Sequence, residues 1–362
     1  MKAIILVGGQ GTRLYPLTVN TPKAMVPVLN KPFLEHVISH LISHKIRDII
    51  LAQGHLSQPI TDYFGDGSRF GANLIYNTED KPLGTGGAVK NAESWLGDTF
   101  LVFNGDIFTD LDISSMIAFH EDKKAELTIS TTPVDDPTSY GLIETDADGR
   151  ITHFLEKPDR QQITGNMINA GTYVMSSSVL KIVPEETKTS FERQVFLRLL
   201  EEGRPFYAYS SDAYWIDIGR PESYFELHRD LLLGKSRRYL LKTSEEVVIG
   251  NGCRIAPAAT INGPVIIGDD CSIGDKVSIK GPSVIGNGCQ IADGSVIEES
   301  IIWHNVNICR GCHIKKTVIA NHCYLGSGIA IDDSLLSDNV KMADGCRLEP
   351  GSKVEPGSDI IP

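Results

Sequence analysis

The first two-thirds of the chain alternates short apolar runs with amphipathic segments. Apolar runs of strand length predict β-strands at 2–7, 48–53, 72–77, 99–104 and 126–133. Segments with apolar residues at helical spacing predict helices at 33–45, 57–64, 86–96, 113–122 and 191–202. This alternation is typical of an α/β fold with a mainly parallel sheet and helices on both faces. Such sheets bind ligands beyond the carboxyl ends of their strands.

The pattern changes twice before the chain reaches its last third. Residues 140–175 predict a hairpin-like excursion from the sheet, and residues 221–241 predict a helix. Composition changes abruptly after this helix. We therefore expect a first domain over 1–222, a helical linker over 223–246 and a second domain over 247–362.

From Ile249 to Ile297, isoleucine recurs at every sixth position, nine times in all. A helix repeats every 3.6 residues, so this is a hexapeptide repeat, and it resembles the left-handed parallel β-helix. Three hexapeptides make one coil. Further along, the apolar positions jump by five residues three times, which predicts coils of 17 residues, about six coils in all, and Trp303 at the first irregular corner. Three cysteines 18 residues apart should stack in successive coils: Cys253, Cys271 and Cys289.

Composition and charge narrow the class of protein. With 362 residues, 41% of them hydrophobic and 22% charged, the chain has the composition of an ordinary globular protein. A net charge of −12 argues against a nucleic-acid surface. A first strand beginning at Lys2, with no apolar run of membrane length, predicts neither a signal peptide nor a membrane span. All seven cysteines lie beyond residue 250, and we expect reduced thiols in a cytoplasmic protein.

The segment LVGGQGTRLYPLTVNTPK, residues 6–23, carries the clearest chemistry. It follows the first predicted strand and contains Gly8, Gly9 and Gly11, which allow backbone N–H groups to turn towards phosphate oxygens. Arg13 and Lys23 add the two side chains best suited to phosphate. The spacing matches neither the P-loop nor the dinucleotide-binding fingerprint. A nucleoside triphosphate is the expected ligand.

This segment closely resembles the signature of the sugar-1-phosphate nucleotidyltransferases, GGxGTRLxPLT followed by PK. The resemblance implies a Rossmann-like catalytic domain in which a sugar 1-phosphate attacks the α-phosphorus of a nucleoside triphosphate and pyrophosphate leaves. It implies catalytic roles for Arg13, Lys23 and Asp106, and Mg²⁺ bound by Asp106 and Asp217. The implied nucleotide-binding residues are Leu6, Gly8, Gly9, Gly11, Thr12, Arg13, Glu79, Gly84 and Thr85. The implied sugar-phosphate-binding residues are Gly141, Glu156, Lys157 and Asn169.

The base preference depends on one residue. Relatives specific for uracil or thymine carry glutamine five residues before the glycine of LGT, and here that position is Glu79. A carboxylate only accepts hydrogen bonds, which suits the adjacent N–H donors of guanine. The segment EDKPLGTGG also resembles GDP-mannose pyrophosphorylases and heptose-phosphate guanylyltransferases. We therefore expect GTP and mannose 1-phosphate.

Several alternatives stay open. The same chemistry could use glucose 1-phosphate with dTTP or UTP, or the chain could be a silent regulatory subunit that binds nucleotide sugar. The β-helix could carry a second, acyltransferase activity. Its candidate bases would be His304, His313 and His322. A zinc site is conceivable at Cys309, Cys312, His313, His322 and Cys323. Otherwise the β-helix is expected to serve assembly into a homo-oligomer.

Overall fold

The structure is a computed structural model and describes residues 1–9, 11–54, 56–238 and 246–361. The chain forms two compact units. The sheet unit contains residues 1–10 and 34–216, and the β-helix unit contains residues 11–33 and 217–362. The segment that carries Arg13 and Lys23 therefore packs in the same unit as the repeats. The serial domain boundaries at 222 and 246 stay a prediction.

The regular elements are numbered along the chain. The α-helices of the described residues are α1 Phe33–Ser43, α2 Gln58–Phe64, α3 Gly84–Asn91, α4 Ile113–Asp122, α5 Phe196–Glu201 and α6 Pro221–Leu232. The first thirteen strands are β1 Lys2–Leu6, β2 Pro27–Val28, β3 Lys31–Pro32, β4 Asp48–Gln53, β5 Asn73–Thr78, β6 Thr99–Asn104, β7 Ile107–Thr109, β8 Leu127–Pro133, β9 Gly141–Thr145, β10 Ile151–Glu156, β11 Met167–Ser176, β12 Phe206–Ser210 and β13 Trp215–Asp217.

The strands of the repeats follow in threes. They are β14 Val247–Ile249, β15 Arg254–Ile255, β16 Thr260–Asn262, β17 Val265–Ile267, β18 Ser272–Ile273, β19 Ser278–Lys280, β20 Ser283–Ile285, β21 Gln290–Ile291, β22 Val296–Glu298, β23 Ile301–Ile302, β24 Asn307–Ile308, β25 His313–Lys315, β26 Val318–Ile319, β27 Tyr324–Leu325, β28 Ala330–Asp332, β29 Leu335–Leu336, β30 Lys341–Met342, β31 Lys353–Val354 and β32 Asp359–Ile360.

The sheet unit is built around one nine-stranded sheet. Seven strands follow the order β10-β9-β11-β6-β1-β4-β5, and β8 pairs with β11 and β12. The central strands β6, β1, β4 and β5 run parallel, and β11 joins β6 antiparallel. Ile4 and Ile5 point to opposite faces of β1 and are both fully buried, as expected when helices cover both faces. The five predicted strands are confirmed to within one residue.

Three predicted helices differ from the structure. The helix expected at 86–96 begins at Gly84 and ends at Asn91, and the helix expected at 191–202 opens with a π-helical turn, Phe191–Val195. The helix expected at 221–241 ends at Leu232, because Gly234 takes up φ +72° just beyond it and terminates the helix. Residues 239–241 of that prediction lie outside the described residues. No helix in the described ranges has both the length and the apolarity to cross a membrane.

The repeats form a parallel β-helix with three sheets. The first sheet has the order β14-β17-β20-β23-β26-β29-β31, the second β15-β18-β21-β24-β27-β30-β32, and the third β16-β19-β22-β25-β28. Ile267 pairs with Ile285 18 residues later, and Ile285 pairs with Ile302 17 residues later. The hexapeptide period, the slip to 17-residue coils and the stacking of Cys253, Cys271 and Cys289 are thereby confirmed.

The position predicted for Trp303 is wrong. The first five-residue interval separates Ile297 from Ile302, so the shortened corner is 298–301, and Trp303 begins the next, full-length corner. Glu299 turns the short corner with φ +45°. Its equivalents one and two coils later, Lys316 and Asp333, both have φ +46°. The short corner thus depends on a left-handed non-glycine residue, a conformation that the apolar spacing does not predict.

Candidate active site

The glycine-rich segment begins where the central strand of the sheet ends. Val7 continues β1 by donating its N–H to Ala52 O at 2.9 Å. A Cβ on Gly8 would lie 3.4 Å from Gly54 N, whereas one on Gly9 would meet nothing within 4 Å. Both glycines are exposed. Their backbone, which follows Leu6, is therefore accessible to a ligand at the carboxyl end of β1.

Asp106 lies at the same edge of the sheet. Strand β6 pairs with β1 so that Asn104 is opposite Leu6. Gly105 then donates its N–H to Leu6 O at 3.0 Å, and a Cβ there would lie only 2.6 Å from that oxygen. Only glycine allows so close an approach. The turn brings the partly buried Asp106 to the carboxyl end of β1, where the glycine-rich segment starts.

In the β-helix unit, residues 11–23 form a loop that folds back on itself. Gly11 has φ +64°, and a Cβ there would lie 3.1 Å from Thr18 Cγ2 and 3.2 Å from Lys23 Cβ. The Gly11 carbonyl oxygen accepts hydrogen bonds from Leu14 N–H at 2.9 Å and from Thr18 Oγ1–H at 2.8 Å. Gly11 therefore permits the close packing that places Lys23 beside the start of the loop.

Arg13 and Lys23 converge on Asp217, and we call these three residues the cation cluster. Arg13 belongs to the 3₁₀ turn Thr12–Leu14, whose first residue is exposed. Arg13 Nη2 is 3.6 Å from Asp217 Oδ2, and Lys23 Nζ is 3.7 Å from Asp217 Oδ1. The side chains of Lys23 and Asp217 are 11% exposed, and that of Arg13 is 52% exposed. Both separations exceed hydrogen-bond length, so an anionic ligand can compete for both cations.

A second glycine shapes the cation cluster. Gly219 donates its N–H to Asp217 Oδ1 at 2.6 Å, which fixes the direction of the carboxylate. A Cβ on Gly219 would lie 2.6 Å from Arg13 Nη2 and 2.8 Å from Asp217 Oδ1. Any larger residue there would displace the guanidinium group. The sequence WIDIG thus supplies both the carboxylate and the space in which Arg13 meets it.

Glu79 closes a turn in the sheet unit. Its N–H donates to Gln53 O at 2.9 Å, and its Oε2 accepts the N–H of Leu83 at 3.1 Å. Desolvation by burial raises the pKa of Glu79, an effect that the Leu83 N–H partly offsets. The other carboxylate oxygen, Oε1, makes no hydrogen bond to the described residues. Glu79 therefore combines a structural contact with an oxygen that can accept from a ligand.

Gly84 and Thr85 begin helix α3 and are fixed by a neighbouring turn. A Cβ on Gly84, which has φ +72°, would lie 2.7 Å from Thr189 O. The Thr85 hydroxyl donates to Glu192 Oε2 at 3.0 Å and accepts the Phe191 N–H at 2.9 Å. The side chain of Thr85 thus holds the helix start in place. Its predicted contact with nucleotide stays a prediction.

The predicted sugar-binding residues lie on β9, β10 and β11. Gly141 pairs with Glu156, and a Cβ on Gly141 would lie 2.6 Å from the Phe154 ring and 3.2 Å from Glu156 Oε2. Lys157 follows with φ +52°, and its Nζ is 4.0 Å from Glu156 Oε1. The Lys157 side chain is 58% exposed. Gly141, Glu156 and Lys157 are therefore brought together.

Asn169 is committed to the packing of β11. Its Oδ1 accepts the N–H of Gly171 at 3.0 Å, and its Nδ2 donates to the hydroxyl of Tyr173 at 3.0 Å. Gly171 has φ +75°, and a Cβ there would lie 2.8 Å from Asn104 Nδ2. Within the described residues the Asn169 amide donates one of its two N–H groups, to Tyr173, and the other can serve a ligand.

Sequence reasoning missed Glu192 and Arg193. Burial raises the pKa of Glu156 most, and the negative charge of Glu192 raises it further. Lys157 and Arg193 lower it. We call Glu156, Lys157 and Glu192 the acid cluster. The available signal was Ser190-Phe-Glu-Arg, a helix start with adjacent acid and base, but nothing in its spacing links it to Glu156.

The cysteines among the candidate zinc ligands make hydrogen bonds within the β-helix. The described residues hold no group of three or more His, Cys, Asp or Glu arranged to bind a metal. Cys312 and Cys323 donate their thiols to Gly326 O and Ser337 O at 3.0 Å each. Cys309 donates to the hydroxyl of Tyr324 at 3.3 Å. These thiols bind neighbouring coils of the β-helix, so the zinc hypothesis is wrong for this arrangement.

Comparison with known proteins decides the family. The Nucleotidyl transferase family model matches residues 2–233, which is more than half of the chain. The chain belongs to the nucleotidyl transferase family. In this nucleotidyl transferase, a second model, the EIF2B subunit epsilon LbH domain, matches residues 244–348 and confirms a left-handed β-helix. The predicted family, fold class and enzyme class are thus confirmed.

This nucleotidyl transferase is similar to curated sugar-1-phosphate nucleotidyltransferases and to a solved structure with a bound nucleotide analogue. A mannose-1-phosphate guanylyltransferase of Mycobacterium tuberculosis is 36% identical over 73% of this chain and 74% of its own length. A UTP–glucose-1-phosphate uridylyltransferase of Synechocystis is 35% identical over 64% of this chain and 63% of its own length. The crystal structure of HddC from Yersinia pseudotuberculosis complexed with GMP-PN is 34% identical, with a TM-score of 0.54, and covers 62% of this chain and 97% of the HddC chain.

Proposed function

We propose that this nucleotidyl transferase joins GMP from GTP to mannose 1-phosphate and releases pyrophosphate. The observation that carries this choice is the likeness to the guanylyltransferase of M. tuberculosis across nearly three-quarters of both chains. The HddC complex with GMP-PN supports the choice of nucleotide. The uridylyltransferase of Synechocystis supports the alternative, a glucose-1-phosphate uridylyl- or thymidylyltransferase, over a smaller share of the chain.

Charge compensation is the main task of the cation cluster in this proposal. A phosphate oxygen of the sugar 1-phosphate attacks the α-phosphorus of GTP, and the bond to the pyrophosphate leaving group breaks. Arg13 and Lys23 exchange their loose contacts with Asp217 for contacts with the phosphates. Such chemistry depends on alignment and on electrostatic stabilisation more than on covalent help. Gly8, Gly9 and Gly11 supply backbone N–H donors for the same ligand.

Asp106 and Asp217 are the proposed ligands of Mg²⁺. Carboxylate oxygens suit this ion, which usually takes one or two of them and completes its shell with phosphate and water. The Gly219 N–H keeps Asp217 Oδ1 in a fixed direction, as a metal ligand requires. When bound, the ion would neutralise charge on the phosphates. The protein groups already described position the substrates.

Glu79 is proposed to select guanine. Its Oε1 can accept an N–H of the base while Oε2 stays on the Leu83 N–H. A glutamine at the same position can keep the Leu83 contact through its carbonyl oxygen and present an NH₂ donor instead. Glu79→Gln therefore reverses one hydrogen-bond polarity and leaves the turn intact, which makes it a clean test of base selection.

The sugar would bind at the acid cluster. Glu156 can accept two hydroxyl groups, the remaining N–H of Asn169 can donate, and Lys157 can hold the sugar phosphate. The backbone of Gly141 lies directly opposite Glu156. A closed set of paired donors and acceptors is what distinguishes sugars. The residues support a hexose phosphate and do not by themselves choose its epimer.

The first experiment measures pyrophosphate release with Mg²⁺ across GTP, UTP, dTTP, ATP and CTP, each against mannose 1-phosphate and glucose 1-phosphate. We expect the highest kcat/KM with GTP and mannose 1-phosphate. Glu79→Gln should erode the preference for GTP by about tenfold, the value of about 1.4 kcal/mol. A maximum at UTP or dTTP in the wild-type protein, or unchanged selectivity in the variant, would refute the base assignment.

A silent regulatory subunit is the competing function. Asp106→Asn separates the two, because it removes a proposed metal ligand and should reduce synthesis by several hundredfold. Asp212→Asn, at an exposed aspartate, is the matched control. Wild-type protein that binds nucleotide sugar but makes none would support the regulatory subunit.

We also infer a homo-oligomer in a reducing, cytoplasmic setting. All seven cysteines are free thiols. Val248 and Ile249, on the first strand of the β-helix, are 37% and 47% exposed and offer an apolar edge to another copy. Light scattering of Val248→Glu and Ile249→Glu tests this, and an unchanged mass for both variants would contradict it.

A further inference from the structure

The first sheet of the β-helix differs from the other two on its outer face. Its outward positions Val284, Ile301 and Val318 are apolar and 0–3% exposed. The corresponding outward positions of the second sheet, such as Gln290 and Lys341, are polar and exposed. An apolar outer face must be covered by other parts of the protein. Within the β-helix unit, helix α6 packs against β20 on this face.

The signature loop, which we define as residues 11–33, is bonded to this covering layer. Tyr224 of α6 is fully buried, and its hydroxyl donates to Pro27 O at 2.5 Å. The same hydroxyl accepts the Nε1–H of buried Trp303 at 3.0 Å. His228, also on α6, accepts the N–H of Leu29 at 3.4 Å. Burial lowers the pKa of His228 to about 4, so it is neutral and can accept.

The β-helix also contacts the signature loop directly. Ser337 Oγ donates to Pro16 O at 2.9 Å, and Ser337 is fully buried. Tyr15 donates its hydroxyl to Glu355 Oε1 at 2.5 Å. Asn30 Nδ2 donates to Ile285 O at 2.8 Å. These β-helix residues all stand at the end of strands of the first sheet, in different coils.

These anchors lie close in sequence to the two cations, on the C-terminal side of Arg13 and on both sides of Lys23. Pro16 comes three residues after Arg13, and Pro27 comes four residues after Lys23. A hydrogen bond to each proline carbonyl therefore limits the movement of the backbone that carries each cation. An error of about 1 Å in such groups is enough to impair catalysis.

We propose that the β-helix is a positioning element of the active site: Ser337 and Glu355 hold the signature loop so that Arg13 and Lys23 meet the triphosphate. The proposal rests on the phosphate-binding role proposed above for these two cations. It assigns the repeats a part in catalysis in addition to assembly. Ser337 and Glu355 touch no substrate and act through the loop.

The main test compares Ser337→Ala with Ser334→Ala in the full-length protein. Ser334 lies in the same coil, is 2% exposed, and donates its hydroxyl to Asp332 O within the β-helix. Ser337→Ala should raise the KM for the nucleoside triphosphate about fivefold, the worth of one buried hydrogen bond, and leave the KM for the sugar phosphate within twofold. Ser334→Ala should change neither. Hydrogen exchange of residues 14–26 should accelerate only in Ser337→Ala.

A second pair of variants tests the neighbouring anchor, at Tyr15. Glu355→Ala should raise the KM for the triphosphate about twofold, because the contact is exposed, and Glu355→Gln should restore it because the amide oxygen still accepts from Tyr15. Equal KM values for Ser337→Ala and Ser334→Ala, or faster exchange in Ser337→Ala without a change in KM, would overturn the proposal. Arg13→Ala is the reference. If Arg13→Ala itself leaves the KM unchanged, the phosphate-binding role fails, and with it the catalytic purpose of the anchoring.

Discussion

The cation cluster and the acid cluster have opposite balances of charge. In the cation cluster, two positive side chains share one carboxylate that is 11% exposed. In the acid cluster, two carboxylates lie near each other, and burial together with Glu192 raises the pKa of Glu156. Lys157, the cation of that cluster, is 58% exposed. The first arrangement suits polyphosphate, and the second suits neutral hydroxyl groups beside a single phosphate.

The two clusters also differ in how their parts are held. The cation cluster depends on the signature loop and its anchors on the β-helix. The acid cluster depends on pairing of β9 with β10 and on the turn that opens at Phe191. Charged groups that are already held in place lose less conformational entropy when a ligand binds than groups that must first be ordered. We therefore expect substitutions in the cation cluster to cost more than those in the acid cluster.

Replacing the two lysines gives the largest contrast. Lys23→Ala removes a nearly buried cation and should lower kcat/KM about 100-fold, or about 2.7 kcal/mol, mainly through the triphosphate. Lys157→Ala removes a cation whose side chain is 58% exposed, and it should raise the KM for the sugar phosphate about tenfold. Steady-state kinetics with each substrate varied in turn checks both. The control is Lys181→Ala, at an exposed lysine of the sheet unit. Equal losses of kcat/KM in Lys23→Ala and Lys157→Ala would contradict the expected difference between the two clusters.

A glycine substitution tests the rigidity of the acid cluster. Gly141→Ala places a methyl group about 2.6 Å from the Phe154 ring, which is 3% exposed and cannot move without disturbing the core. We expect a loss of about 1–3 kcal/mol in unfolding free energy. Gly165→Ala, where a Cβ meets nothing within 4 Å, should change it by less than about 0.5 kcal/mol. Chemical denaturation measures both unfolding free energies. Equal values would show that the β9–β10 hairpin shifts to accommodate the added methyl group.

Much of this architecture was predictable from the sequence. The period-six isoleucines and their five-residue slips specify the coils, because each coil must place one apolar side chain inward on every sheet. The glycines and cations of residues 6–23 predict a phosphate-binding loop, and its ligand stays a prediction. Alternation of strands and helices likewise predicts the central sheet.

Other features could not be predicted because they depend on contacts between distant residues. The first sheet has apolar residues at its outward positions, Val284, Ile301 and Val318. This pattern can be found in the sequence only after the inward positions have been assigned. The loop that helps to cover this outer face contacts residues about 200 or more positions away, as in the Tyr224–Pro27 contact, and no local pattern encodes such contacts. The same holds for Glu192, whose approach to Glu156 depends on the packing of a π-helical turn.

The titration of Glu156 provides the last prediction, with the smallest effect. Because its folded-state pKa is raised above the ordinary value, ionised Glu156 costs folding free energy at neutral pH, and this cost disappears as pH falls through the raised pKa. Over the same window, protonation removes the acceptor that we propose for the sugar hydroxyls. Activity with limiting sugar phosphate should therefore fall on the acidic side.

Glu192→Gln should move that acidic limb to lower pH. The substitution removes the charge that helps to raise the pKa of Glu156, while a glutamine carbonyl oxygen can still accept from Thr85 and Ser190. Activity at neutral pH should change less than about twofold, because a shift of the acidic limb acts mainly on the acidic side of the profile. Profiles of kcat/KM for the sugar phosphate against pH measure the shift, and Glu201→Gln, at an exposed glutamate, is the control. If the acidic limb of the profile does not move, Glu156 does not govern sugar binding. The difference between the two clusters would then rest only on the effects of Lys23→Ala and Lys157→Ala.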